Sequence, residues 1–258
     1  MEDLAGRVII VTGASRGIGK GLALGLARLG ATVVCAARTQ VTGAGVDALP
    51  GSIAETADAI RAEGGTALAV RCDIGEPGDI DDLVETTVRE LGRVDVLVNN
   101  AMAGTRASFD DSTVEQWDTS MRINVRSLYL LCRAVVPHMS KIGGGSIVNI
   151  SSGGADHAST PFMPPGYLFY VVAKAAMERF TSAIAPELRP LGITVNALRP
   201  GAVKTEMSTR ELGEDFDWSN WTTPDAVVAP VATLAAQIDT DFTGRVLDVS
   251  GFGKTWPE

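Results

Sequence analysis

The chain is poor in histidine and cysteine. It contains only two histidines, His138 and His157, and three cysteines. The cysteines, Cys35, Cys72 and Cys132, are odd in number, widely spaced and embedded in apolar stretches. This pattern indicates reduced, buried thiols rather than a disulfide framework. Because neither histidine lies near a cysteine pair or carboxylates at zinc-ligand spacing, we expect no metal site.

Positive charge and long apolar runs are also scarce. The chain has 22 basic and 31 acidic residues, a formal net charge of −9, and the acidic residues are spread out. Such a balance disfavours a nucleic-acid surface and an anionic membrane as partners. No apolar run approaches the roughly 20 residues that cross a bilayer, and the acidic start Met1-Glu2-Asp3 does not resemble a signal segment. We expect a cytoplasmic protein with a small-molecule partner, no nucleic acid and no membrane span.

Short β-branched runs alternate with helical patterns from one end of the chain to the other. The 258 residues are 45% hydrophobic, which is enough to bury a sizeable core. No internal repeat or linker divides this alternation, which is typical of a parallel α/β sheet. The sequence therefore predicts one domain that covers residues 1–258.

A glycine-rich turn follows the first predicted strand. The apolar run Arg7 to Thr12 leads directly into residues 13–19, Gly-Ala-Ser-Arg-Gly-Ile-Gly, and then into a helical pattern. Glycines in this setting let the backbone approach a pyrophosphate, and the helix N-terminus supplies N–H donors and a positive dipole end. We infer a dinucleotide site here; the alternative is a tight turn without a ligand.

The end of the second predicted strand distinguishes two cofactors. An acidic residue there would accept hydrogen bonds from a ribose 2′-hydroxyl, whereas a basic residue would pair with a 2′-phosphate. The sequence has Ala37-Arg38 and no acid, and Arg16 is a second candidate cation. We predict NADP(H) as the preferred cofactor and NAD(H) as the alternative, although Arg38 could instead stack on adenine or face solvent.

Polar residues follow the next predicted strands. Asp73, beside Ile74, can accept a hydrogen bond from the adenine amino group or serve as an ordinary turn residue. Asn99-Asn100-Ala101 can tie neighbouring strands together or contact the cofactor. The fifth strand ends in Ser151-Ser152, at the edge where open parallel sheets bind ligands.

Asn124 lies in the middle of a long helix predicted for residues 114–139. Because asparagine is a poor former of helix interiors, this residue needs a reason, such as solvent exposure or a bound water.

Tyr170-Val171-Val172-Ala173-Lys174 places a phenol and an ammonium on one face of a predicted helix. For Tyr170 to exchange protons near neutrality, its pKa must fall from about 10 to about 7, which costs about 4 kcal/mol. One charge at about 4 Å, with an effective dielectric near 20, supplies about that much. Lys174 can therefore make Tyr170 an acid/base, whereas a packed tyrosine with a snorkelling lysine is the alternative. Tyr167 is a rival, but its fourth neighbour is Val171 and not a cation.

In their order along essentially the whole chain, these motifs resemble the short-chain dehydrogenase/reductase family. The motifs that carry the resemblance are Thr12 to Gly19, Asp73-Ile74, Asn99-Asn100-Ala101, Asn124, the strand ending in Ser152, Tyr170 with Lys174, and Pro200-Gly201 with Thr205. The resemblance implies a Rossmann-type, doubly wound, mostly parallel sheet of seven strands with helices on both faces. It also implies hydride transfer between a nicotinamide cofactor and an alcohol or carbonyl carbon, and a homo-oligomer, either a dimer or a homotetramer.

The resemblance assigns four catalytic residues. Tyr170 would give a proton to the forming alkoxide or remove one from an alcohol. Lys174 would lower the pKa of Tyr170 and hold the nicotinamide ribose, and Ser152 would steady the substrate oxygen. Asn124 would position a water that links Lys174 to solvent.

The resemblance also assigns a cofactor site. Thr205 and the backbone near Val203 would hold the carboxamide. The residues implied for the cofactor are Gly13, Ser15, Arg16, Gly17, Ile18, Gly19, Arg38, Asp73, Ile74, Asn100, Ala101, Tyr170, Lys174, Pro200, Gly201, Val203 and Thr205.

The sequence departs from the family pattern at the substrate mouth. Met102 stands where the family usually has glycine. Ser152 precedes Tyr170 by eighteen positions, longer than the usual interval, so Ser151 stays an alternative. The enlarged loop contains His157, which we expect at the surface and not in catalysis, and Phe162.

Residues 200–224 are predicted to form a loop-rich lid. Met207, Phe216, Trp218 and Trp221 in this stretch suggest an apolar substrate beneath it, and the alternative is a surface segment packed for its own stability. A weaker resemblance to hydroxysteroid-dehydrogenase-like proteins points the same way. We predict an oxidoreductase acting on a small apolar alcohol or carbonyl compound. The alternative is a nucleotide-binding or regulatory protein of the same fold without turnover.

Overall fold

Seven strands form one sheet in the structure, a computed structural model that describes residues 2–41, 49–158 and 165–256. They are β1 Val8–Thr12, β2 Thr32–Ala37, β3 Thr66–Arg71, β4 Val96–Asn99, β5 Gly145–Ile150, β6 Ile193–Arg199 and β7 Val246–Asp248. Their order is β3-β2-β1-β4-β5-β6-β7, and all six pairings are parallel. The predicted seven-stranded fold is confirmed, with a sheet that is entirely parallel.

Helices cover both faces of the sheet. Within the described ranges they are α1 Gly17–Arg28, α2 Ile53–Ala62, α3 Pro77–Leu91, α4 Val114–Met121, α5 Ser127–Lys141, α6 Leu168–Leu188, α7 Glu206–Leu212 and α8 Val228–Ala236. In β1, Ile9 and Val11 join the apolar layer under α1, α2 and α8, while Val8 and Ile10 join the layer under α3, α5 and α6. Because successive strand residues face opposite sides and both sides are buried, the strands read as unbroken apolar runs.

The strand order reverses next to β1, which has β2 on one side and β4 on the other. In open parallel sheets, ligands bind at the carboxyl ends of the strands where the order reverses. Here the crevice lies between the residues that follow β1 and those that follow β4. The predicted glycine turn follows β1, and the Asn99-Asn100-Ala101 motif ends β4.

Buried asparagines tie the strand ends together. Asn99 Nδ2 donates to Asn149 Oδ1 at 2.9 Å, and Asn149 Nδ2 donates to Thr181 Oγ1 at 2.8 Å, which links β4, β5 and α6. Asn100 Nδ2 donates to the Thr12 carbonyl oxygen at 2.9 Å, which links β4 to β1. Of the two roles left open for these asparagines, the contacts are those of a structural tie.

The long helix that was predicted for residues 114–139 is present and runs to Lys141, with one irregular turn inside it. A π-helical turn, Arg122–Arg126, separates α4 from α5, and Asn124 lies within it. The π-helical turn inside this helix was not predicted, because an extra residue in a helical turn leaves no mark on a hydrophobic pattern.

The predicted lid also contains a short helix, α7, which sequence patterning missed. Thr205 and Ser208 form a capping box at its start, with Thr205 Oγ1 accepting from the Ser208 amide at 3.2 Å. Seven residues are too few for an amphipathic period to be recognised.

Membrane-spanning helices, clusters of metal ligands and the state of the cysteines can each be examined in the described residues. None of the helices in these ranges is long and apolar enough to cross a membrane, and no three potential metal ligands cluster there. The three cysteines are free and buried, as predicted, and burial raises the pKa of each thiol to about 12. Residues 42–48 of the loop before α2, and Phe162 of the mouth loop, lie outside the described residues.

Replacing Asn149 with leucine should lower the free energy of unfolding by about 3 kcal/mol, because Asn99 and Thr181 would each lose a buried partner. Urea unfolding measures the change. The exposed Asn220→Leu variant is the control and should be nearly neutral. Equal unfolding midpoints for the two variants would show that the asparagine tie contributes nothing.

Candidate active site

Helix α6 carries the predicted acid/base pair to the carboxyl end of β5. Tyr170 and Lys174 lie one turn apart on this helix, and Tyr170 is half-buried. Lys174 is only 5% exposed, and its Nζ donates to the carbonyl oxygen of Ile150 at 2.5 Å. The same Nζ lies 5.9 Å from the centroid of the Tyr170 ring. The structure therefore brings the two side chains together beside the last residue of β5.

The protonation of the two groups is set mainly by burial. Burial raises the pKa of Tyr170, and its hydrogen bond with Ser152 opposes that rise. The pKa of Lys174 falls to about 8, because burial disfavours the ammonium more than the charge of Glu178 favours it. The expected lowering of the Tyr170 pKa by Lys174 is not found. The ammonium is directed to the Ile150 carbonyl, and removal of the phenol from water has the larger effect.

The two serines after β5 have different partners. Ser152 lowers the pKa of the Tyr170 phenol, and its Oγ accepts from the amide of Gly154 at 3.1 Å. Ser151 is buried and donates from Oγ to Glu178 Oε1 at 2.7 Å. Because adjacent residues of an extended chain point in opposite directions, Ser151 faces Glu178, whereas Ser152 is the serine that affects the phenol. It does so despite the long interval between Ser152 and Tyr170.

Sequence reasoning missed an ion-pair network behind Ser151. Arg199, the last residue of β6, donates from Nε and Nη2 to the two carboxylate oxygens of Glu178, both at 2.8 Å. Its Nη1 donates to Asp156 Oδ2 at 3.1 Å. The network joins α6, β6 and the segment after β5. Its one local signal was the spacing of Lys174 and Glu178, four residues apart on one helix.

Asn124 is 8% exposed, and its amide is satisfied by protein groups. Its Oδ1 accepts from the amide of Ala103 at 2.8 Å, and its Nδ2 donates to the Ala103 carbonyl oxygen and to Ser120 Oγ, both at 3.1 Å. Solvent exposure therefore does not explain this asparagine. The side chain pins the segment after β4 to the π-helical turn.

The glycine turn after β1 has the shape of a phosphate-binding turn. Gly13 has φ +70°, and a Cβ on Gly19 would lie 2.2 Å from the Gly13 carbonyl oxygen. Only glycine fits at these two positions without strain or a clash. The amide of Gly17, the first residue of α1, donates to Glu206 Oε2 at 2.9 Å. This N-terminal amide therefore already holds an anionic group, a carboxylate from α7.

The predicted cations lie at the end of β2. Arg38 follows the last residue of β2 and is exposed. Arg16 reaches the same region, because its Nη2 donates to Thr39 Oγ1 at 3.2 Å. The Nε of Arg16 is buried and has no hydrogen-bond partner among the described residues. Ser15 and Ile18 complete the turn; Ser15 is buried, and Ile18 packs against the layer under α1.

The remaining predicted cofactor residues line the same edge of the sheet. Asp73 Oδ1 accepts from the Gly75 amide at 2.9 Å, an ordinary turn contact, and the neighbouring Ile74 is buried. The amides of Asn100 and Ala101 both donate to Thr12 Oγ1, at 3.0 and 3.1 Å. These contacts hold the crevice between β1 and β4 in shape.

The segment after β6 lies against the glycine turn. Pro200 and Val203 are buried, and Gly201 is exposed. Thr205 caps α7, and its side chain lies 3.4 Å from where a Cβ on Gly17 would stand. The structure thus brings the Pro200 to Thr205 motif to the glycine turn.

The substrate mouth contains both apolar and charged side chains. Met102 is 39% exposed. Arg106 lies over the ring of Tyr167, with its Cζ 3.9 Å from the centroid, and donates from Nη2 to Glu211 Oε2 at 2.5 Å. His157 is fully exposed, 3.7 Å from Asp156 Oδ1, as expected of a surface residue.

The lid aromatics contact one another. The rings of Phe216, Trp218 and Trp221 pack edge to face, with centroids 5.0 to 5.8 Å apart. Lys204 Nζ lies 4.8 Å from the Trp218 ring centroid. Such contacts are what we expect of the alternative to a lid, in which residues 200–224 form a surface segment packed for its own stability.

A scan against family models matches residues 7–215 to the short chain dehydrogenase model. Among curated relatives, the 3-oxoacyl-[acyl-carrier-protein] reductase of Synechocystis is 34% identical in an alignment of 256 positions that covers 97% of this chain and 98% of the relative. The similarity therefore extends over nearly the full length of both proteins.

Solved structures of short chain and hydroxysteroid dehydrogenases are also similar to this chain over nearly its full length. A short chain dehydrogenase from Burkholderia cenocepacia, in complex with NADP, has a TM-score of 0.78 and 29% identity over 95% of this chain and 96% of its own. A 7α-hydroxysteroid dehydrogenase, complexed with NADH and 7-oxo glycochenodeoxycholic acid, has a TM-score of 0.82 and 30% identity over 97% and 95% of the two chains.

Replacing Lys174 with methionine should stabilise the fold at pH 7 by on the order of 2 kcal/mol, because a buried ammonium is costly. Since the pKa of Lys174 falls from 10.5 to about 8, the folded chain holds this proton less tightly than the unfolded chain does. The full cost is present below about pH 8 and is relieved as the pH rises towards 10.5.

The difference in unfolding free energy between variant and wild type should therefore shrink over that window. Urea unfolding at pH 7 and at pH 10 measures it, with the exposed Lys141→Met as the control. A stabilisation of the same size at both pH values would mean that the lysine does not titrate there.

Proposed function

Since the chain belongs to the short chain dehydrogenase family, we propose that it is an NAD(P)-dependent oxidoreductase in which Tyr170 exchanges a proton with the oxygen of an alcohol or carbonyl substrate. The observation that carries this proposal is the position of Tyr170 beside the buried Lys174, whose Nζ lies 5.9 Å from the centroid of the Tyr170 ring. Ser152 lies near enough to lower the pKa of the phenol. A hydroxyl pair at the carboxyl end of β5 can contact one substrate oxygen from two sides.

The proposed reaction needs little covalent chemistry from the chain. A bound nicotinamide supplies or accepts the hydride at the substrate carbon. In reduction, the Tyr170 hydroxyl donates its proton to the carbonyl oxygen as the carbon becomes an alcohol carbon, and oxidation reverses the transfer. The Ser152 hydroxyl donates a hydrogen bond to the same oxygen and so holds it in line with the phenol.

The protonation of the two side chains supports this division of roles. A raised pKa keeps Tyr170 protonated at neutral pH, which suits a proton donor in reduction. Lys174, with a pKa of about 8, can return a proton near neutrality. Its ammonium would also hold the ribose hydroxyls of the cofactor, and charge placed there would favour the phenolate after transfer.

The fit of the cofactor rests on the glycine turn and on two cations. Gly13, Gly17 and Gly19 leave room for a pyrophosphate at the start of α1. Arg16 and Arg38, at the end of β2, suit the 2′-phosphate of NADP(H). The Burkholderia relative is complexed with NADP and the hydroxysteroid dehydrogenase with NADH. We therefore propose NADP(H) as the preferred cofactor and NAD(H) as the alternative.

The proposed substrate is a small alcohol or carbonyl compound with an apolar body. Met102 lies at the mouth and is partly exposed, and Met207 belongs to α7 of the predicted lid. Methionine side chains adapt to apolar ligands of irregular shape. The structurally similar hydroxysteroid dehydrogenase holds a 7-oxo compound, which supports an apolar carbonyl substrate for this chain.

Replacing Tyr170 with phenylalanine should lower turnover by about 10³-fold, because it removes the transferable proton. NADPH binding, followed by the fluorescence of the cofactor, should be nearly unchanged. Tyr129→Phe, on the exposed side of α5, is the matched control and should keep full activity. Retained turnover in the Tyr170→Phe variant would refute the role of the phenol. A wild type that binds NADPH but turns over no alcohol or carbonyl compound would favour a nucleotide-binding protein instead.

Replacing Arg38 with aspartate should lower the ratio of kcat/KM for NADPH over NADH by about tenfold or more, because a phosphate would lose a charged partner and meet a like charge. Steady-state kinetics with each cofactor gives the ratio. Arg89→Asp, an exposed site on α3, is the control for the change of charge. If the wild type already uses NADH as well as NADPH, the interpretation of Arg38 and Arg16 is wrong.

A further inference from the structure

Arg106 is a charged residue at the substrate mouth to which the proposed chemistry gives no role. It lies on the segment after β4, beyond Met102, and its guanidinium stacks on the ring of Tyr167 with Cζ 3.9 Å from the centroid. Its Nη2 donates to the hydroxyl of Tyr167 and to Glu211 Oε2, the latter at 2.5 Å. One cation is thus held between the start of α6 and the lid helix α7.

The guanidinium lies close to the reacting groups. The Tyr167 ring that it covers packs edge to face against the Tyr170 ring, with centroids 6.1 Å apart. The charge of Glu211, which pairs with Arg106, contributes to the raised pKa of Tyr170. The Arg106 Cζ therefore lies no more than about 10 Å from the centroid of the Tyr170 ring, a distance that a substrate of several carbon atoms can span.

The ion pair with Glu211 uses only part of the hydrogen-bonding capacity of the Arg106 guanidinium. A guanidinium offers five N–H donors and pairs best with a carboxylate through two parallel bonds. Of the three guanidinium nitrogens of Arg106, only Nη2 donates a hydrogen bond within the described part of the chain. The side chains of Arg106 and Glu211 are 41% and 28% exposed, so solvent weakens their attraction. An incoming carboxylate could replace Glu211 at little cost.

We propose that Arg106 recognises a carboxylate on the substrate, so that this site takes oxo acids and their hydroxy acid products. Glu211 and the Tyr167 ring hold the guanidinium in position until the substrate carboxylate replaces Glu211. The inference rests on the proposed function, since it assumes that the carbonyl group reacts at Tyr170. The proposed contact adds one charged group, Arg106, to a substrate mouth where Met102 supplies an apolar side chain.

The test compares each oxo acid with its own methyl ester, using levulinate and its longer homologues with NADPH. In each reaction the ketone carbon gains a hydride, the oxygen gains a proton from Tyr170, and NADPH is oxidised to NADP⁺. The wild type should prefer the best acid over its ester by about tenfold in kcat/KM, the usual size of a hydrogen bond to a charged group. The ester is an internal reference, because a general disturbance of the lid affects both compounds alike.

Variants separate the roles of the charges. Arg106→Met should bring the acid-to-ester ratio close to one, and Arg106→Lys should leave an intermediate ratio. Glu211→Gln should raise the ratio by lowering KM for the acid, because the competing carboxylate is gone. Arg210→Met removes a positive charge from the same helix, α7, and is the matched control, with an unchanged ratio. Because Arg106→Met and Glu211→Gln change the ratio in opposite directions, loss of folding cannot imitate the expected result.

A wild-type ratio near one, or a ratio that Arg106→Met leaves unchanged, would overturn the role of Arg106 and leave the proposed function standing. Failure to reduce any acid or ester would also overturn it. The proposed function itself fails only if neutral ketones and alcohols give no turnover either.

Discussion

The candidate site depends on how the buried ammonium of Lys174 is held. Its hydrogen bond to the Ile150 carbonyl joins α6 to the last residue of β5 and holds a charged side chain that is only 5% exposed at this edge of the sheet. With α6 held there, Tyr170 meets Ser152 on one side, and Glu178 meets Ser151 on the other. One buried charge is thus held where α6 meets the end of β5, next to Ser152 and Tyr170, whose hydroxyl groups we propose as the reacting groups.

A second set of polar contacts keeps the sheet edge rigid around this helix. The asparagine tie through Asn149 connects β4, β5 and α6, and the Glu178–Arg199 ion pair connects α6 to β6. Asn124 fixes the segment after β4 from the opposite side. Each of these contacts crosses between elements that are distant in sequence, so the edge is held by side chains as well as by strand pairing. Such support is what a site needs to keep two hydroxyl groups aligned.

The sequence was sufficient for the fold and for placing Tyr170 and Lys174 one turn apart on a helix. Buried parallel strands read as continuous apolar runs, and Tyr170 with Lys174 could be found because helical spacing is a local property. The pKa of Tyr170 could not be predicted, since burial depends on packing, and its direction proved opposite to the expectation. Arg106 escaped notice because its partners Tyr167 and Glu211 lie 61 and 105 positions away. The π-helical turn at Asn124 and the short helix α7 leave no periodic signal, for which reason the structure was needed to find them.

The carboxylate of Glu206 at the amide of Gly17 has a consequence for helix α7. That amide opens α1, and Glu206 opens α7, so one hydrogen bond of 2.9 Å joins the glycine turn to α7. A single N–H cannot serve two anions at once, and any phosphate bound at that amide must take the place of the carboxylate. Release of α7 and capture of phosphate are then one exchange of anions. By thermodynamic reciprocity, if phosphate binds at this amide, whatever loosens α7 strengthens that binding by the same factor as phosphate loosens α7.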